Sequence, residues 1–233
     1  MDKKDEYLQR ATNPHQYDSP ELDWRNMGAE DSRSRKLFRD YLGKELENIS
    51  GKSVVDIGSG IGQLFNFLKS RGAREIFGIE PSERNVEVTK ELYPEMRVIN
   101  STLQKTVTDK KFDVAIIIMA FEHILDTDSA FQKIASFLKP STNLYAIVGD
   151  KKFHTLSKPE AIVDVQELSD GLVTTKTTRG DEVMYDIFRP ISSIMESAGK
   201  AGFTSTKQVE IVADYWSHVT SIPVCHLIVF HKN

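Results

Sequence analysis

Three glycines alternate at positions 58, 60 and 62 within Val54-Val55-Asp56-Ile57-Gly58-Ser59-Gly60-Ile61-Gly62-Gln63, where an apolar run passes through a turn into a helix. Residues without a Cβ let the backbone turn tightly and approach a ligand closely, and the first turn of the new helix offers unpaired N–H groups. That chemistry suits a nucleotide-like molecule.

The elements that must position this turn alternate helix and strand from about residue 30 to 150, without repeats or low-complexity tracts, as in an open, mostly parallel sheet. Helical spacing of Leu37, Phe38, Tyr41, Leu42, Leu46 and Ile49 predicts a helix over 32–49, and Ser50-Gly51-Lys52 ends it. Strands are expected at 53–57, 75–79, 97–100, 112–119 and 144–148, with helices at 63–70, 82–92 and 126–138 between them. The 112–119 segment is apolar almost throughout, the pattern of a central strand covered on both faces. After Gly149 the texture changes. Residues 161–188 are rich in Val and Thr and carry the turn signals Asp170-Gly171 and Arg179-Gly180-Asp181, which predict three short antiparallel strands inserted over one end of the sheet. A helix over 191–201 and strands near 206–213 and 224–231 would complete a single domain over 31–233. Residues 1–30 hold Tyr7, Tyr17 and Trp24 among charges and prolines, and read as an arm or lid that orders on binding rather than as a core element.

Composition narrows the partners. The chain has 233 residues, 39% hydrophobic and 27% charged, enough for one sizeable core. Its 34 acidic and 30 basic residues leave a net charge of -4, which gives no footprint for wrapping nucleic acid. The longest apolar stretch, 114–121, falls well short of the roughly 20 residues of a membrane span. The single cysteine, Cys225, cannot form an internal disulfide. A cytoplasmic setting, no membrane, no metal and a small-molecule partner are the expectations.

With these residues in view, the chain resembles the class I S-adenosylmethionine-dependent methyltransferases of the small-molecule branch, well over 35–150 and more loosely over 189–231. The resemblance rests on the 54–62 glycine motif, on Glu80 at the end of Ile76-Phe77-Gly78-Ile79, and on Phe112-Asp113-Val114-Ala115 through Met119 followed by Phe121-Glu122-His123-Ile124. It implies a Rossmann-like, mostly parallel seven-stranded sheet with helices on both faces, plus the antiparallel insertion after the fifth strand. It also implies S-adenosyl-L-methionine as cofactor. Gly58, Ser59, Gly60, Gly62 and Gln63 would approach its methionine portion, and Glu80, with Pro81 beside it, would accept bonds from both ribose hydroxyls. Ser101, Thr102 and Leu103 would meet the adenine, and Met119 and Ala120 would lie near the methyl. Many such enzymes carry an acidic residue where this chain has Asn100-Ser101-Thr102, so a plain turn is the competing role there. Asp56 either holds the cofactor's amino group through water or caps the turn. Dinucleotide-dependent oxidoreductases use a similar turn but favour G-x-G-x-x-G over the G-x-G-x-G found here.

Methyl transfer needs a base only when the acceptor must lose a proton to become nucleophilic. His123, just after the fourth strand, is the first candidate, and packing within its turn is its structural alternative. His154, after the fifth strand, either faces the acceptor or is a solvated loop residue. Tyr17, Trp24, Tyr185 and Arg189 are candidate acceptor contacts, although the last two could instead cap and pack the fold. The 214–218 cluster, Asp-Tyr-Trp-Ser-His, reads as aromatic packing. The insertion, 151–188, is sized to roof a small-molecule cavity and could alternatively form a homodimer interface. A cofactor-fold domain that serves a protein partner without catalysis is the other class of function this pattern allows.

Overall fold

The computed structural model describes residues 2–18, 33–156, 161–179, 181–213 and 221–233. Seven strands form the central sheet: β1 (Ser53–Ile57), β2 (Glu75–Glu80), β3 (Arg97–Asn100), β4 (Phe112–Ile118), β5 (Leu138–Gly149), β9 (Phe203–Ile211) and β10 (Cys225–Lys232). Their order is β3-β2-β1-β4-β5-β10-β9. The first five run parallel, and β10 lies antiparallel to both its neighbours. The strand order reverses between β1 and β4, where the carboxyl ends of parallel strands leave a crevice.

Alternation along β4 explains its uninterrupted apolar sequence. Ile116 and Ile118 enter one core with Phe38 and Leu42 of α2 (Arg33–Glu45) and Leu68 of α3 (Phe65–Ser70). Ala115 and Ile117 enter the opposite core with Phe131 and Ile134 of α5 (Thr127–Phe137) and Ile194 and Ala198 of α7 (Ile191–Lys200). Each face of the strand thus meets its own helical layer. Helix α4 (Glu83–Leu92) starts where Ser82 Oγ accepts the Asn85 N–H at 3.1 Å, and α5 where Asp126 accepts the Ser129 N–H at 2.9 Å. None of the described helices is long and apolar enough to cross a membrane.

A separate three-stranded antiparallel sheet, β6 (Ile162–Glu167), β7 (Val173–Arg179) and β8 (Glu182–Phe188), follows the short helix α6 (Lys151–His154), as the turn signals imply. Two findings depart from the sequence reading. Part of the arm is built into the fold: α1 (Lys3–Ala11) buries Tyr7 and Ala11, one helical turn apart, against Tyr185 and Ile187 of β8. Tyr7 Oη also donates to Asp164 of β6 at 2.5 Å, and Lys3 pairs with the same carboxylate at 2.6 Å. Strand β5 begins at Leu138 directly from α5, six residues before the expected start, because Pro140 cannot continue a helix and its exposed neighbours bulge out of the β4 ladder. Trp24 and the 214–218 cluster lie outside the described residues.

Candidate active site

A cavity of about 380 Å³ opens at the carboxyl ends of β1, β2 and β4. The glycine turn forms one wall, and its three glycines do different work. All have positive φ, which disfavours any side chain. Gly60 faces the cavity, and a Cβ there would meet nothing nearer than the Gln63 side chain at 3.7 Å. At Gly62 a Cβ would lie 2.8 Å from the Tyr93 ring, so this glycine admits the end of α4 and does not line the cavity. Gly58 lines it with its back against Ala120.

Glu80 sits at the tip of β2, 4% exposed. Its Oε2 accepts the Gly60 N–H at 2.8 Å, and its Oε1 accepts the Ser82 N–H at 3.0 Å and the Asn85 side-chain amide at 3.3 Å. Burial raises the Glu80 pKa, and these three donors oppose that. The carboxylate therefore ties the glycine turn to the start of α4 while keeping lone pairs for a ligand. Gln63, Pro81, Thr102, Leu103, Met119 and Ala120 also line the cavity. Besides Gly62, three expected contacts do not. Ser101 turns its hydroxyl to the Thr102 carbonyl at 3.1 Å. Ser59 is buried with its Oγ against Gly78 of β2. Asp56 lies behind the turn beside a small void, about 20 Å³, that it shares with Arg35, Ser59 and Gln63, which is room for one water. Burial, with Glu80 adding to it and Arg35 opposing, pushes the Asp56 pKa up to about 7.

The opposite end of the cavity is built by segments far apart in sequence. Met119, held at φ 51° in the left-handed region, ends β4 and starts the 3-10 turn Phe121–His123. His123 Nδ1 lies 3.3 Å from the Ala11 carbonyl and 3.2 Å from Gln16 Nε2, while Nε2 meets the Tyr17 hydroxyl and lies 3.7 Å from Asp186 Oδ1. Burial pushes the His123 pKa down to about 4, and the Ala11 carbonyl opposes this, so the ring is neutral at physiological pH. Burial and the charge of Asp186 hold the Tyr17 phenol well above its ordinary pKa. His154 also reaches the cavity, stacked on Phe188 at 4.6 Å, with Nε2 donating to the Val224 carbonyl at 3.1 Å.

Tyr185 and Arg189 are corrected to structural roles. Tyr185 points to the α1 side of β8 and packs edge-on against Tyr7, ring centroids 5.2 Å apart. Arg189 donates to the Phe121 and Ile124 carbonyls at 3.2 and 2.7 Å, bracing the turn that carries His123. On its other side, Glu122 Oε1 accepts the Gly149 N–H at 2.6 Å. The cavity-facing residues of β8 are Met184, Asp186 and Phe188, the alternate set. Sequence reasoning also passed over Arg35, Asn85, Gln104, Thr177 and the arm residues Thr12, Asn13 and Pro14, all of which line the cavity. Only Asn85 carried a local signal, three residues after the cap Ser82.

Comparison with known proteins places the chain. Residues 30–168 match the model of a methyltransferase-domain family, and the chain belongs to that family. A ubiquinone biosynthesis O-methyltransferase of Rhodopseudomonas palustris is 28% identical over 115 residues, covering 48% of this chain and 44% of that protein. A ribosomal protein L11 methyltransferase of Fusobacterium nucleatum is 28% identical over 127 residues, covering 51% and 40%. The chain thus spans less than half the length of these curated relatives. Among solved structures, the PH0226 protein of Pyrococcus horikoshii superposes with a TM-score of 0.71 at 18% identity, covering 88% of this chain and 94% of its own. The glycopeptide N-methyltransferase MtfA, complexed with S-adenosyl-L-methionine, gives 0.64 at 14% identity, covering 84% and 93%. Both share the Rossmann-like fold.

Proposed function

We propose that the protein transfers a methyl group from S-adenosyl-L-methionine to an oxygen or nitrogen of a small-molecule acceptor. The observation that carries this reading is one cavity joining the Gly60–Glu80 wall to His123, a neutral imidazole just beyond Met119 and Ala120.

The residues fit the cofactor. Asn85 Oδ1, buried beside Glu80, has no hydrogen-bond partner among the described residues, and with the Glu80 carboxylate it forms an acceptor pair suited to ribose hydroxyls. Thr102 and Gln104 offer polar edges to a base, with Leu103 and Pro81 as apolar walls. Arg35, whose guanidinium burial lowers from its usual pKa to about 10, remains a cation suited to a carboxylate. When bound, S-adenosylmethionine supplies a methyl on a cationic sulfur, which departs with the C–S electron pair as an acceptor lone pair takes the carbon.

The chain's own task is alignment, worth about 7–11 kcal/mol in well-oriented systems, and exclusion of water by the arm and the inserted sheet. For a hydroxyl acceptor, His123 Nε2 takes the proton, and Asp186 lies close enough to stabilise the resulting imidazolium. The Tyr17 hydroxyl holds the Nε2 lone pair until the acceptor hydroxyl replaces it. For an amine acceptor the proton can leave after transfer. Isothermal calorimetry with S-adenosylmethionine and S-adenosylhomocysteine should show one-to-one binding, and absence of binding would overturn the reading. A radiolabelled-methyl screen of metabolite extracts should label small molecules; label confined to macromolecules would overturn the acceptor class.

A further inference from the structure

Ala11 and Gln16 of the arm meet His123 at Nδ1, and the Gln16 side chain is oriented there by backbone groups. Gln16 Nε2 donates to the Ala11 carbonyl at 3.1 Å while Gln16 Oε1 accepts the Tyr185 N–H at 3.4 Å. Turning the amide over would set oxygen against carbonyl and NH₂ against N–H, so its orientation is determined. Gln16 Nε2, the Ala11 oxygen and His123 Nδ1 then form a nearly equilateral triangle, with sides of 3.1, 3.2 and 3.3 Å. The two N–H directions of a planar amide diverge twice as widely as two sides of such a triangle. One Gln16 hydrogen committed to the Ala11 oxygen therefore leaves the other aimed away from Nδ1, and Nδ1 faces the carbonyl as a donor. In water, neutral imidazole prefers the proton on Nε2, so this arrangement selects the less common form.

We propose that Gln16 is a positioning residue: by clamping the Ala11 carbonyl to the β8 backbone it holds His123 as the Nδ1–H tautomer, leaving Nε2 as the proton acceptor only while the arm is docked. This rests on the reading of His123 as the base. The other groups facing the ring are Tyr17 from the arm and Asp186 from β8, with Glu122 preceding it on its own turn and Arg35 of α2 across the cavity.

Nitrogen-15 NMR of histidine-labelled full-length protein reads the tautomer directly, with the His123 signals assigned by their loss in His123→Gln. The expected result is a protonated Nδ1 and an unprotonated Nε2 in the native protein, and a shift toward Nε2–H in Gln16→Leu while the other histidine signals stay in place. Native protein with Nε2–H, or a Gln16→Leu spectrum identical to native, overturns the proposal. If Gln16→Leu fails to fold, Gln16→Met serves, with the same expected shift toward Nε2–H and the same overturning result, an unchanged spectrum. Full methyl transfer by His123→Asn would instead remove the base assignment and leave the tautomer result standing.

Discussion

The two ends of the cavity are made in opposite ways. At the Glu80 end, the contacts come from short stretches at the tips of neighbouring parallel strands, and backbone groups do much of the work. At the His123 end, Gln16, His123 and Asp186 come from the arm, the β4 turn and the inserted sheet, and the side chains meet only after three segments have docked. On the proposed reading, the nucleotide-type ligand is held by one supersecondary unit, whereas acceptor recognition is distributed over the chain. The same contrast separates what each end should do when disturbed.

The largest effect is expected at the distributed end. His123→Asn should lower kcat toward a hydroxyl acceptor by about 10²–10⁴-fold, the usual range for a lost general base, with S-adenosylmethionine affinity within twofold of native. A comparable loss of cofactor affinity would show the two ends to be one unit. Next, Glu80→Ala should weaken cofactor binding by about 30- to 150-fold, from about 2–3 kcal/mol of charge-assisted hydrogen bonding, read by calorimetry. Within the glycine turn, Gly62→Ala should cost about 2–3 kcal/mol of stability in urea titration, because the added Cβ meets Tyr93 at a positive φ. Gly60→Ala bears only the backbone strain, about 1 kcal/mol, and should instead show its effect in cofactor affinity. Equal losses of stability would deny the glycines separate jobs.

The effects of pH have opposite signs at His123 and at Asp56. The folded pKa of His123 lies below its unfolded value, so its contribution to stability is full above about pH 6.5 and is lost as pH falls toward about 4. The folded pKa of Asp56 lies above its unfolded value, so its contribution is full below about pH 4 and is lost as pH rises through about 7. In thermal melts, His123→Asn should flatten the acid limb between pH 6.5 and 4, and Asp56→Asn the limb through neutral pH. A substitution that flattened the opposite limb would reverse the assignment.

The same contrast governs what was legible in the sequence. The glycine turn, Glu80 and the parallel order are local patterns, because strand, turn and helix start follow one another along the chain. The three inserted strands were readable from their turn residues, but their register was not. Tyr185 and Arg189 look as suitable for an acceptor as Met184, Asp186 and Phe188, and only the position of α1 decides which face of β8 is covered. Ser59 and Ser101 sit beside true cavity residues but turn away, Ser59 because Gly78 leaves space behind it. Gln16 carried no signal at all, since its importance comes from a carbonyl five residues earlier and a histidine more than a hundred residues later.

Among the described residues, the strands of the inserted sheet form ladders with one another and none with the seven-stranded sheet. They can therefore change length or sequence without passing a register error into the strands that carry Glu80 and the glycine turn. Chimaeras that swap the inserted sheet together with α1 should inherit a new acceptor range while keeping the old nucleotide grip.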